Sequence, residues 1–124
     1  MTVFVFGNPD LQADSLPLRI LPALKERCPG AVFKVQDSNE EWEAPEELTV
    51  IDTVLGIDKV KVFDDLEDFA STPRVSLHDF DAATNLRYLQ KLGKLPSKIK
   101  IIGVPPMISE KEAEDSVASI LLST

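Results

Sequence analysis

Short apolar runs alternate along this chain with stretches of helical period. "TVFVF" (residues 2–6) is rich in β-branched and aromatic side chains and is closed by "GNPD", which predicts a buried strand. Leu16, Ile20, Ala23 and Leu24 then recur at helical spacing. Asp14 or Ser15 is placed to cap and Pro17 is tolerated in the first turn, so a helix is expected over 15–27. Pro22 removes a backbone donor inside that span and should bend it. "AVFKVQD" (31–37) predicts a second strand after the turn at Pro29 and Gly30, and "LTVID" (48–52) a third that ends in an acid. Between them "SNEEWEAPEE", with five glutamates and a proline, reads as a solvated loop or a single helical turn. "KVKVF" (59–63) alternates polar and apolar, as an edge strand with one wet face does, and "DDLEDFASTP" (64–73) reads as an acidic loop.

Ser76 followed three positions later by Asp79 resembles a capping box, and Leu77, Phe80, Ala83, Leu86 and Leu89 continue it as a helix ending at Gly93. His78 therefore belongs to a first helical turn. "KIKIIGV" (98–104) predicts the last strand, and "SEKEAEDSVASILLS" (109–123) a closing helix with Val117, Ile120 and Leu121 facing inward. The order is strand, helix, three strands, helix, strand, helix. That is an α/β order, and strands without alternation are buried on both sides. The expected architecture is a three-layer αβα sandwich whose five-stranded sheet is mostly parallel, with one edge strand able to run antiparallel. Residues 1–124 suit a single domain, large enough to bury an apolar core without disulfides.

Composition narrows the function classes. The net charge of −8 opposes binding to a polyanion, and the four lysines within 91–100 are too dispersed to reverse that, so no nucleic-acid partner is expected. No stretch approaches the roughly 20 apolar residues of a membrane span, and the first apolar run lacks the flanks of a secretory leader. Cytoplasmic location is the resulting expectation. Cys28 is the only cysteine, which excludes an internal disulfide and a cysteine-rich zinc site. The five glycines form no phosphate-cradling or dinucleotide motif, and no Gly-x-Ser-x-Gly elbow accompanies the single histidine.

In parallel sheets ligands bind beyond the carboxyl ends of the strands. Asp52 closes the third strand, Asp37 the second, and Asp14 ends the loop leaving the first. His78 opens the helix that leads into the last strand, so these residues are expected at one edge of the sheet. Two carboxylates and an imidazole there would suit a divalent metal such as zinc or nickel, with open positions for water or substrate. Each residue also has a plainer account: Asp14 as a helix cap, Asp52 as a strand-terminal acid bonding loop amides, His78 as an exposed helix-start residue. Trp42, among glutamates, reads as a loop residue packed on the surface.

"FVFGNPDLQADSLPLRILPAL", "VIDTVLG", "SLHDFDAATNLRYLQKLG" and "IKIIGVPP" together resemble, in order, the hydrogenase maturation proteases, which trim the large subunit of nickel-iron hydrogenases. The resemblance matches Asp14, Asp52 and His78 to side chains that in the family engage nickel already installed in the precursor. It implies a metal-dependent endopeptidase whose three residues serve both as metal ligands and in catalysis, with Asn8 and Asp37 near the substrate. Its nickel arrives with the substrate, although zinc or another divalent ion could occupy the same ligands. The implied partner is the large-subunit precursor, met by a monomer. Two departures stand out. Ala13, Asp14 and Ser15 replace the family's paired acids and glycine, and "QDSNEEW" replaces its Asp-Gly-Gly-Thr, leaving only Asp37. A relative that binds or chaperones a hydrogenase subunit without cutting it is the alternative implied, and a free-standing metal-binding α/β domain a third.

Overall fold

The structure, a computed structural model, describes residues 1–36, 46–73 and 82–123. Five strands form one sheet: β1 (Thr2–Val5), β2 (Val32–Val35), β3 (Glu47–Thr53), β4 (Lys61–Phe63) and β5 (Lys98–Val104), in the order β2-β1-β3-β5-β4. Neighbours run parallel except β4, which pairs antiparallel with β5, placing Val62 opposite Ile102. The expected mostly parallel sheet with an antiparallel edge is thus observed. β2 forms the other edge, and its Val32 and Val35 are exposed rather than sandwiched.

The helix expected over 15–27 is two: α1 (Leu16–Arg19) and α2 (Leu21–Arg27). Pro22 is the cause. Seated in the first turn of α2, where its missing N–H has no partner to lose, it restarts the helix after Ile20 instead of bending a continuous one. The acidic stretch read as a loop contains α3 (Leu66–Ala70). Asp65 caps it by accepting from the Glu67 N–H at 2.8 Å, while Leu66, Phe69 and Ala70 recur at helical spacing and are buried. α4 (Ala82–Lys91) is described from Ala82 onward, so the expected start at Ser76 lies outside the described residues, as does most of the 38–47 segment. α4 ends as expected at Gly93, which has φ of +71°. The Lys94 N–H bonds the Leu89 carbonyl and the Gly93 N–H that of Gln90, the paired closure in which glycine escapes the left-handed penalty. α5 (Glu110–Leu122) opens on a capping serine, Ser109, whose hydroxyl accepts from the Glu112 N–H at 3.1 Å.

Side chains alternate across a strand, so each strand feeds two cores. Val3, Val5, Ile51, Ile102 and Val104 pack under α1, α2 and α5 on one face. Phe4, Leu48, Val50 and Ile101 pack under α3 and α4 on the other. Exposed ion pairs from Arg19 to Glu110 (2.8 Å) and from Arg27 to Asp115 (2.6 Å) tie α1 and α2 to α5. Such exposed pairs are screened by solvent and add little; the apolar faces beneath hold the layers.

Candidate active site

β3 is central, and the chain leaves β1 and β3 side by side at their carboxyl ends. The Phe6 N–H still donates to the Ile51 carbonyl (2.9 Å), holding the two strands in register to the rim. Gly7 then passes so close to the following turn that a Cβ would lie 2.9 Å from the Asp14 carbonyl oxygen and 3.1 Å from Leu18 Cγ. The Asn8 N–H donates to that same carbonyl at 2.9 Å. The Asn8 side-chain oxygen accepts from the Asp10 N–H, the Asn8 carbonyl from the Leu11 N–H, and the Leu11 carbonyl from the Asp14 N–H. These bonds wind residues Gln12–Asp14 into a 3-10 turn and fix the Asp14 backbone from both sides.

Asp14 is not the cap of the helix that follows. Ser15 holds the cap position of α1, and no side chain bonds the first-turn amides; its hydroxyl instead donates to the Gln12 carbonyl and accepts from Arg19 Nε–H, both at 3.0 Å. The half-buried Asp14 carboxylate is left to face Thr53 at the end of β3. Burial pushes its pKa above the usual carboxylate value, and the Thr53 hydroxyl pulls part of that shift back. Thr53 Oγ1 is nonetheless buried with no partner in hydrogen-bonding geometry among the described residues, so the approach is a polar contact short of a formed bond.

Asp52 precedes Thr53 and is half-buried, paired in register with Gly103 of β5. Alternation sets it on the opposite face from Thr53, the face of Val50. α3 and α4, which flank His78 in the sequence, pack on that face. A Cβ on Gly103 would fall 2.8 Å from Val54 Cγ2 and 2.9 Å from Phe63 Cε2, so the glycine lets β4 close against β5 beside Asp52. Asp14 and Asp52 thus reach the rim at adjacent strands, the first from the α1 side and the second from the α4 side.

His78, Asp37 and Trp42 lie outside the described residues. Among the described residues no three His, Cys, Asp or Glu side chains group so as to hold a metal ion. Asp14 and Asp52 alone would supply oxygen ligands, with further donors needed to complete a coordination shell. Cys28 is buried, and burial pushes its thiol pKa up, consistent with a packing role. The residue that sequence reasoning passed over is Thr53. A hydroxyl at a core-facing position of an otherwise apolar strand was the available signal.

No curated protein matches the sequence. Solved structures match across nearly the whole chain. The hydrogenase maturating endopeptidase HybD from Escherichia coli aligns with a TM-score of 0.65 at 18% identity, covering 99% of this chain and 88% of that one. The hydrogenase maturation protease HycI from Thermococcus kodakarensis aligns at 0.58 and 18%, covering 98% and 92%. A hydrogenase 2 maturation peptidase from a Thaumarchaeota archaeon aligns at 0.59 and 17%, covering 99% and 97%. Identities this low establish the shared fold. The family model described as hydrogenase maturation protease matches residues 32–120, a span that contains Asp52 and His78 and begins after Asp14. With well over half of its length in that match, the chain belongs to the hydrogenase maturation protease family, endopeptidases that act in hydrogenase maturation.

Proposed function

We propose that this protein removes a C-terminal peptide from the nickel-loaded large-subunit precursor of a nickel-iron hydrogenase, as one domain spanning residues 1–124. The observation that carries the reading is the pair of half-buried carboxylates beyond the carboxyl ends of neighbouring parallel strands, Asp52 near the end of β3 and Asp14 in the 3-10 turn that follows β1, in a chain of this family. Asp14 is held by backbone bonds rather than used as a helix cap, which leaves its carboxylate available to a cation.

In this reading Asp14, Asp52 and His78 ligate the nickel that the precursor brings. Two carboxylate oxygens and an imidazole nitrogen are ligands that nickel and zinc both accept. The metal belongs to the substrate: it marks a precursor ready for trimming and, as a Lewis acid, polarises the scissile carbonyl or activates water. Asn8 and Asp37 line the approach of the precursor tail. The encounter takes place in the cytoplasm between a monomer of this chain and the precursor.

Incubating the protein with nickel-loaded precursor tests the reading. A mass shift equal to loss of a C-terminal peptide, seen with nickel and not without it, is expected. The sequence "QDSNEEW", where the family carries Asp-Gly-Gly-Thr, favours one competing reading, a relative that binds the precursor without cutting. A stable complex with no mass shift would support that reading and contradict proteolysis.

A further inference from the structure

We propose that Thr53 is a positioning residue for Asp14: its hydroxyl donates to the carboxylate oxygen turned away from the metal and so fixes the orientation in which Asp14 engages the precursor. The inference rests on the functional reading above and extends it to a residue outside the three ligands.

Thr53 is 5% exposed, and its Oγ1 finds no hydrogen-bond partner among the described residues. A buried, unpaired hydroxyl destabilises the fold, and packing gives no reason for it. Ile51, on the same face two residues earlier, is fully buried and apolar, and valine would fill the volume of Thr53 without the polar penalty. The polar group the hydroxyl approaches, short of hydrogen-bonding geometry, is the Asp14 carboxylate. The Asp14 backbone is fixed: its carbonyl accepts from Asn8, its N–H is held by the Leu11 carbonyl, and Gly7 leaves no room for it to retreat. Only rotation about its side chain can change the carboxylate's direction. A carboxylate that gives one oxygen to a cation directs the other elsewhere, and a rotatable O–H with no competing acceptor is there to receive it. Hydrogen bonds of this kind to metal-binding side chains set ligand orientation, and their removal weakens metal engagement without touching the ligands.

The test compares wild type, Thr53→Val, Thr53→Ser, Asp14→Asn and the Asp14→Asn/Thr53→Val double variant. Affinity for the nickel-loaded precursor is measured by calorimetry, and melting temperature on each free protein. Thr53→Val should bind about tenfold more weakly and Thr53→Ser within about threefold of wild type. The valine protein should melt no lower than wild type, because the unpaired hydroxyl is gone. In the Asp14→Asn background the valine substitution should change affinity little, since Thr53 acts through the carboxylate. Unchanged binding by Thr53→Val, a loss of binding accompanied by a lower melting temperature, or a loss that persists in Asp14→Asn would each overturn the assignment while leaving the protease reading intact. Wild type that binds but does not cut contradicts proteolysis and leaves these affinities to support or overturn the role of Thr53. Wild type that does not bind the precursor overturns both.

Discussion

For Asp14, stability and the proposed role as a metal ligand pull in opposite directions. Its half-buried carboxylate is desolvated, so the folded state favours the protonated acid relative to the unfolded chain. Because the folded pKa is raised, Asp14 is harmless to stability below the ordinary carboxylate pKa and increasingly destabilising as pH rises through its folded value. Asp14→Asn should therefore raise the melting temperature at neutral pH, with the difference from wild type fading on acidification below the usual aspartate pKa of 3.8. Paired melts at the two pH values check this. In the same variant, and in Asp52→Ala, precursor processing should fall by about a hundredfold or more if, as proposed, each supplies an oxygen ligand to the reacting complex. The strand-end rule led from sequence to the position of both acids, Asp52 next to the last residue of β3 and Asp14 in the 3-10 turn beyond β1; their role as ligands is the proposal. Thr53 was not legible in the same way: threonine is common in strands, and only the unpaired, buried hydroxyl beside Asp14 sets it apart among the described residues. His78 and Asp37 lie outside the described residues, so their place at the rim rests on the sequence.

Elements position these residues through a few close contacts. Gly7→Ala would drive a Cβ to 2.9 Å from the Asp14 carbonyl, against backbone that cannot swing aside. Overpacking of this kind costs about 1–3 kcal/mol, and it should displace the 3-10 turn so that processing falls along with stability in denaturant melts. Asp65→Ala is the matching control. Loss of the cap on α3 should lower stability by about 1 kcal/mol and leave processing per folded molecule unchanged, because α3 presents no side chain of the proposed site. The sequence hid α3 behind its charge: four acids in five of the residues 64–68 look solvated, although Leu66, Phe69 and Ala70 carry a helical apolar stripe. Pro22 was seen as a disturbance, yet whether it bends a helix or starts a new one depends on whether the preceding turn can end, as it does at Ile20.

At the scale of the molecule, the sheet order sets the two acids of the proposed site at one rim. β1 sends its chain to the α1 side while β3 runs on toward the opposite edge, and the rim between them is where Asp14 and Asp52 emerge. Layering, parallel pairing and the edge position of β4 followed from hydrophobic periodicity, while its antiparallel direction was one of the two the sequence allowed. That β2 is an exposed edge did not, since strand order depends on long-range pairing that no local pattern encodes. The central claim is that this rim grasps a nickel ion carried by another protein. Nickel K-edge X-ray absorption of the loaded precursor, freeze-quenched alone and with one equivalent of this protein, tests it most directly. Added oxygen and nitrogen scatterers around nickel, lost with Asp52→Ala, are the predicted result; a nickel shell unchanged by the wild-type protein would contradict the account.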